Sequence, residues 1–166
     1  WTKSRALSSL ASSLAQAGKF KQAMKIAQKI EDDNEKSDVF SSLTLFLAQA
    51  GKFNQAMSVA EGIGNDWDRS ITLSSLASLL AQAGYFDKAR HCFDQALRLT
   101  DEMWGDDGSE KSQALSLIAS SLTQATDLSN HQALFDQVLR AAKGIRNDDK
   151  KSRVFSSLAS SLASAR

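Results

Sequence analysis

The sequence predicts an all-α protein, a solenoid built from helical hairpins. Three observations support this fold class: one block recurs every 33 residues in the first half of the chain, each block has helical periodicity, and a glycine divides each unit into two helices. The chain has 166 residues, of which 42% are hydrophobic, and it contains no proline. This length and apolar content suit a folded core and not a disordered segment.

The repeat is clearest around three glycines, Gly18, Gly51 and Gly84, which are spaced 33 residues apart. Each glycine ends a serine- and leucine-rich block that closes in Ala-Gln-Ala-Gly, and each precedes a second block with a phenylalanine. Further copies of the first block begin at Ser112 and Ser152. We therefore predict a single domain, 1–166, made of four hairpin units and a final helix, at about 1–33, 34–66, 67–108, 109–148 and 149–166.

Both blocks show the period of an α-helix. In the first block, Leu7, Leu10 and Leu14 fall on one side at about 100° per residue, and the serines fall on the opposite side. Gly18 stands where a residue in the left-handed conformation would end the first helix. Three acids lie four residues before a repeat-opening serine, and we expect them to cap the following helix: Asp33, Asp66 and Asp148.

The order of large and small residues resembles the tetratricopeptide repeat (TPR) pattern. The third copy matches it best, with Leu76, Ala77, Leu80, Gly84, Phe86, Ala89, Phe93 and Ala96 in sequence. The resemblance implies a right-handed superhelix in which small residues let the two helices of a hairpin approach closely. Three features depart from the pattern: the period is 33 instead of about 34, the closing proline is absent, and Ala27 and Ala60 replace a bulky residue.

The chain is expected to be part of a longer protein. It begins inside a predicted linker, with Trp1 in register with Trp67, and it ends just after a first helix at Arg166. We expect the final helix to cover the second helix of the fourth unit near Phe135, Val138 and Leu139, and open array ends to permit self-association.

The sequence shows no pattern of catalytic or metal-binding residues. Cys92 is the lone cysteine and stands at a core position, whereas the neighbouring His91 stands at a solvent position. His131 replaces a small alanine in the weaker fourth unit. The acidic loop at 104–110 lacks the alternating oxygen ligands of a calcium loop and is interpreted as an insertion. We therefore predict a protein that is not an enzyme and has no cofactor or metal ion.

Charge and hydropathy narrow the class of partner. The net charge is +1, which does not favour a dedicated nucleic-acid binder. Residues 1–30 contain six basic residues and no acid, but Lys21, Lys25 and Lys29 lie opposite the apolar stripe, which favours a solvated helix face. No membrane span or signal peptide is visible, so we expect a cytoplasmic protein.

A stripe of serines on the first helices is the most informative feature, and these helices hold most of the 25 serines. The TPR resemblance places this face in the concave groove, where it would bind a peptide or helix. The candidate groove residues are Arg5, Ser8, Ser9, Ser12, Gln16, Asp38, Ser41, Ser42, Leu45, Gln49, Ser74, Ser75, Ser78, Gln82, Ser116, Leu117, Ser120 and Gln124. The second interpretation, that small residues are needed where first helices pack closely, stays open.

We therefore predict a protein–protein interaction module or scaffold that binds a protein or peptide in a serine-rich groove. One alternative is an RNA-binding array similar to pentatricopeptide proteins, which also place small polar residues in the groove. The period of 33 and the near-neutral charge argue against it. Another alternative is a spacer or oligomerisation segment for flanking domains.

Overall fold

The computed structural model describes residues 2–103, 109–124 and 132–164, and within these ranges the chain is all α-helical, as predicted. In chain order the helices are α1 (Thr2–Gln16), α2 (Phe20–Ala27), α3 (Asp33–Gln49), α4 (Phe53–Ala60), α5 (Asp66–Gln82), α6 (Phe86–Glu102), α7 (Ser109–Gln124), α8 (Gln132–Lys143) and α9 (Asp148–Ser164). The predictions made at Trp1, at most of the acidic loop 104–110, at His131 and at Arg166 concern positions outside the described residues.

The helices group into two compact units, residues 1–72 and residues 73–166. In the first unit, α1 packs against α2 and α3, and α3 also packs against α2 and α4. In the second unit, α7 packs against α6, α8 and α9, and α8 also contacts α6 and α9. First helices therefore contact first helices, α1 with α3 and α7 with α9, as a helical-repeat array requires.

A left-handed glycine follows the first helix of the first three hairpins, as predicted. The φ angle is +72° at Gly18 and Gly51 and +82° at Gly84. At the first turn the Gly18 amide donates to the Ala15 carbonyl at 2.9 Å, and the next amide donates to the Leu14 carbonyl at 2.8 Å. The other two turns repeat both bonds. This pairing satisfies carbonyls at the helix end, and glycine adopts the positive φ at no steric cost.

The N-caps lie one residue before the predicted ones. The acids predicted as caps are instead the first helical residues of α3, α5 and α9: Asp33, Asp66 and Asp148. Asp32 caps α3, and its carboxylate accepts the Glu35 amide at 2.9 Å. Two asparagines form the equivalent caps. The Asn65 Oδ1 accepts the Asp68 amide of α5 at 3.0 Å, and the Asn147 Oδ1 accepts the Lys150 amide of α9 at 3.1 Å. The prediction was wrong because acids are favoured throughout the first turn by the helix dipole, so an acid alone does not identify the cap.

A buried isoleucine closes the connection after three of the second helices. Ile30, Ile63 and Ile145 follow the ends of α2, α4 and α8 and are almost fully buried. Each amide donates to the carbonyl three residues earlier, and the N-cap of the next helix follows two residues later. The sequence signal is Ile-x-Asx-Asp, at 30–33, 63–66 and 145–148. Helical periodicity alone misses it, because the isoleucine also fits the apolar stripe of an extended helix.

Small residues fill the contact between helices in the first unit. Ala11 and Ala23 are fully buried in the α1–α2 hairpin, as predicted. Leu10, predicted for the apolar stripe, is instead 48% exposed, whereas Leu43 at the same repeat position is 1% exposed. The difference follows from the neighbours, because α3 packs against α1, α2 and α4, whereas α1 packs against α2 and α3.

The final helix packs mainly on α7 and less extensively on α8. Val154 and Leu158 of α9 are buried, as a covering helix requires. The predicted cover over α8 extends to Phe135 and Val138, which are buried, but Leu139 remains 36% exposed. The final helix therefore extends the row of first helices and only partly shields the second helix before it.

Candidate partner-binding face of the first helices

The predicted groove residues fall into columns, one for each position in the repeat. The inner column contains Ser8, Ser41, Ser74 and Ser116. Ser8 and Ser74 are buried, and the Ser8 hydroxyl donates to the carbonyl of the residue one turn earlier at 3.0 Å. The Ser41 Oγ is also buried, and it has no hydrogen-bond partner among the described residues. Most of this column therefore lies within helix packing and not on an open surface.

Three serines of the first helices, Ser37, Ser112 and Ser157, form hydrogen bonds to the neighbouring repeat. The Ser37 Oγ accepts the Asn65 amide at 3.3 Å, although 28 residues separate the two in sequence. In the second unit, Ser112 donates to the Lys150 carbonyl at 3.0 Å, and Ser157 donates to the Ser116 carbonyl at 3.2 Å. These bonds support the packing interpretation for part of the serine stripe, because they link neighbouring repeats at places where a larger side chain would hold the helices apart.

The outer columns are more accessible. One column contains Ser9, Ser42, Ser75 and Leu117, and none of these four residues is buried. Leu117 is 43% exposed, so an apolar side chain stands in a position that is serine in the other units. This column has the accessible, short side chains that a recognition surface needs, and Leu117 adds one apolar side chain to it.

A second outer column varies along the chain. Ser12 and Leu45 are partly exposed, Ser120 is exposed, and Ser78 is buried. The Ser78 Oγ accepts a hydrogen bond from Gln82 Nε2 at 3.3 Å. The rest of the predicted face consists of exposed glutamines, Gln16, Gln49 and Gln82, and of Gln124, whose side chain lies outside the described part of the molecule.

The charge on this face in the first unit is acidic on balance. Arg5 Nε lies 3.8 Å from Glu35 Oε1, so the single predicted cation of the face stands beside an acid. Asp38 is exposed, and its charge adds to the effect of burial in raising the pKa of the Asp68 carboxyl. A small cleft of about 190 Å³ at this end is lined by Ser4, Asp32, Asn34, Glu35 and Asp38. This end of the face does not suit a phosphate group, because an anion would be repelled.

The helices that carry many of the predicted residues pack against another first helix. Because α1 packs against α3, the residues from Arg5 to Gln16 and from Asp38 to Gln49 belong to neighbouring helices. In the second unit, Leu117 lies on α7, which packs against α9. Sequence periodicity found the face but not the division into columns, because burial depends on which neighbouring helix covers each position.

Cys92 and His91 occupy the predicted environments. Cys92 is fully buried, and burial raises the pKa of its thiol to about 12, whereas His91 is exposed. A thiol with this pKa is neutral and unreactive at physiological pH. Within the described residues there is no group of three potential metal ligands. None of the helices described is long and apolar enough to cross a membrane.

Comparison with known proteins agrees with the geometry of the hairpins. Residues 71–100 match the model of the PPR repeat, a helical repeat. This match and the array of helical hairpins are consistent with a divergent TPR-like repeat. The chain is similar to the crystal structure of Ton1535 from Thermococcus onnurineus NA1, with a TM-score of 0.58 and 21% sequence identity. This match covers 96% of the chain and 47% of the Ton1535 chain, so the array spans about half the length of that protein. No curated protein matches the sequence.

Proposed function

We propose that this TPR-like array is a non-enzymatic module that binds a segment of another protein on the outer columns of its first helices. The observation that carries this proposal is the chemistry of those columns. They present hydroxyl and amide side chains with two accessible leucines, Leu45 and Leu117. Their charged residues are few: Arg5, which stands beside Glu35, Asp38, and Arg153 at the same repeat position on α9. Such a surface suits a polypeptide better than a polyphosphate.

The first unit offers the better surface for an extended segment. Ser9 and Ser12 lie on α1, and Ser42 and Leu45 occupy the equivalent positions on α3, which packs against α1. Short side chains let the backbone of a ligand come close, and each hydrogen bond formed contributes about 0.5–1.5 kcal/mol net. Several such bonds together with the Leu45 contact give affinity without a deep pocket.

The second unit offers an apolar contact. Leu117 on α7 is 43% exposed and is flanked along the helix by Ser116 and Ser120. An exposed leucine within a polar row is a typical anchor for one side chain of a bound segment. Burying the exposed part of Leu117 contributes about 1 kcal/mol, less than the full value for a leucine because the side chain is already partly buried. We therefore assign Leu117 as the apolar anchor in this unit.

RNA is the second candidate ligand, and the match of residues 71–100 to the PPR repeat favours it. A nucleic acid gains most of its affinity from cations that reach phosphates. The outer columns supply few cations, so we rank RNA below a protein segment.

The test is selection of binding peptides from a random displayed library, followed by affinity measurements on variants. Ser42→Arg blocks the outer column of the first unit by bulk, and it should weaken the selected peptides by about tenfold or more, equivalent to about 1.4 kcal/mol. The matched control is Ser58→Arg, which introduces the same side chain at an exposed position on α4.

Three outcomes decide the proposal. Weakened binding by Ser42→Arg with an unchanged melting temperature supports it. Peptides that bind parent and Ser42→Arg equally show that this face is not used. Random single-stranded RNA that binds with a steep salt dependence, and whose affinity changes in Ser42→Arg but not in Ser58→Arg, selects the RNA alternative.

A further inference from the structure

A basic cleft of about 380 Å³ lies between the two glycine turns of the first unit, the turn from α1 to α2 and the turn from α3 to α4. Its lining residues are Gly18, Lys19, Phe20, Lys21, Gln22, Lys52 and Gln55. Three of them are exposed lysines, and none of them is an acid. The two turns are 33 residues apart in sequence, so the charges are brought together by the stacking of the hairpins.

These lysines differ from the cations of α1 in the same unit. Lys3 Nζ lies 3.5 Å from Glu31, and Arg5 Nε lies 3.8 Å from Glu35. Within the described part of the chain, Lys19, Lys21 and Lys52 form no ion pair. The cleft therefore carries positive charge that no ion pair with the described residues neutralises.

Two of the lysines occupy positions that do not favour helix stability. Lys19 and Lys52 are the N-cap residues of α2 and α4, and neither side chain makes a capping hydrogen bond. A cation at the N-terminus of a helix is repelled by the helix dipole. Lys52 Nζ lies 5.5 Å from the centroid of the Phe20 ring, which holds one of the charges over the cleft. Cations in such places are better explained by an anionic ligand than by folding.

The third hairpin lacks this arrangement. Tyr85 stands at the position of Lys19 and Lys52, and Asp87 stands at the position of Lys21. The nearby Lys88 lies over the Tyr85 ring at 5.3 Å. The basic cleft is therefore a property of the first unit and does not follow from the repeat itself.

We propose that this cleft docks an acidic segment of a partner protein, rich in aspartate or glutamate. Three cations and one aromatic ring in a cleft of this size match a few carboxylates, whereas nucleic-acid binding generally draws on more phosphate contacts. The cleft lies at the starts of α2 and α4, away from the outer columns of the first helices, so its test is independent of the proposed function.

The experiment measures the binding of a labelled peptide of alternating glutamate and serine by fluorescence anisotropy, at low and at physiological salt. A peptide of alternating glutamine and serine is the neutral probe, and a single-stranded oligonucleotide of similar length is the phosphate probe. The cleft variant is Lys19→Gln/Lys21→Gln/Lys52→Gln. The control variant is Lys25→Gln/Lys29→Gln/Lys143→Gln, which removes the same charge from three exposed positions elsewhere.

The expected result is salt-sensitive binding of the acidic peptide that is about tenfold weaker in the cleft variant and nearly unchanged in the control variant. The melting temperature of the cleft variant should equal or exceed that of the parent. If the melting temperature of the cleft variant falls, the double variant Lys19→Gln/Lys21→Gln replaces it, because this variant keeps the Lys52–Phe20 contact. Binding of the acidic peptide should then still be weaker than in the parent. Equal losses in the two triple variants, equal binding of the neutral peptide, or tighter binding of the oligonucleotide at the same lysines would each overturn the proposal.

Discussion

The two units share one repeat but differ in the length of their second helices, although α8 is followed by the same Ile-x-Asx-Asp signal as α2 and α4. In the first unit, α2 and α4 have eight residues each, and Ile-x-Asx-Asp then starts the next first helix. In the second unit, α6 has 17 residues and α8 has 12. The first helices vary only from 15 to 17 residues. Among the first three hairpins the second helix therefore sets the repeat length, whereas the first helix and the glycine turn stay nearly constant.

The side chains of α6 explain why this helix continues. Leu97 and Thr100 are buried one and two turns beyond the point where α4 ends, so the apolar face persists. The Thr100 hydroxyl donates to the Ala96 carbonyl at 2.8 Å, which satisfies a polar group inside the packing. In the first unit Gly62 and the buried Ile63 stand just after α4 and end it early.

The largest effect should come from removing the isoleucine that closes a short second helix. Ile63→Ala leaves a cavity beside a nearly fully buried side chain and should lower the free energy of unfolding by about 2–5 kcal/mol. Denaturant unfolding measures this loss, and Leu139→Ala, at a 36% exposed position, is the control. Equal losses for the two variants would contradict the role assigned to Ile63.

Overpacking of the hairpin should have the next largest effect, and it should be similar in the two units. Ala56 on α4 and Ala89 on α6 are fully buried, and neither position has room for a larger side chain. Ala56→Phe and Ala89→Phe should each lower stability by about 1–3 kcal/mol. Thermal melting detects the loss, with the exposed Gln55→Phe as control. An unaffected melting temperature in either variant would show that the corresponding hairpin is packed differently.

A smaller effect is expected at the helix starts. Asn65→Ala removes the cap of α5 and Asn147→Ala that of α9, and each should lower stability by about 1 kcal/mol. Asp66→Ala removes an acid from the first turn without removing the cap, so its effect on the unfolding free energy should be smaller. If Asp66→Ala has the larger effect, the cap of α5 lies where the sequence alone placed it.

The hairpins can be predicted from the sequence, whereas the exact helix starts and the linker isoleucines cannot. Apolar periodicity and the Gly18 type of turn identify the hairpins, because both depend on local geometry. The cap at Asn65 is missed by one residue, because asparagine and aspartate both favour helix starts. Ile63 is missed because a helical stripe does not distinguish an extra turn of helix from a buried linker residue.

The candidate face is less predictable than the fold. Ser78 and Ser120 stand at the same repeat position, yet Ser78 is 4% exposed and Ser120 is exposed. Their burial depends on neighbouring helices, which periodicity within one helix does not describe. The basic cleft also depends on packing between repeats, because Lys21 and Lys52 belong to different hairpins and line one cleft only when these hairpins stack.

The smallest expected effect concerns two acids that only the first unit contains. Partial burial raises the pKa of the Asp68 carboxyl above its ordinary value of 3.8, and the charge of Asp38 raises it further. In the second unit, Lys150 and Gln113 stand at the corresponding positions, so no pair of carboxylates is formed there. A pH dependence of stability from this source therefore belongs to the first unit alone.

The direction of that dependence follows from proton binding. Since the folded protein holds the Asp68 proton more tightly than the unfolded chain, this group lowers stability as the pH rises from 3.8 through the folded-state pKa. Asp68→Asn should therefore raise the free energy of unfolding at neutral pH by less than about 0.5 kcal/mol, because solvent screens a partly exposed pair. The gain should vanish below pH 3.8, where the carboxyl is protonated in both states. Urea unfolding at several pH values measures the gain, with Asp66→Asn as a control in the same helical turn. A gain that is independent of pH would mean that the carboxylates of Asp68 and Asp38 do not cause it.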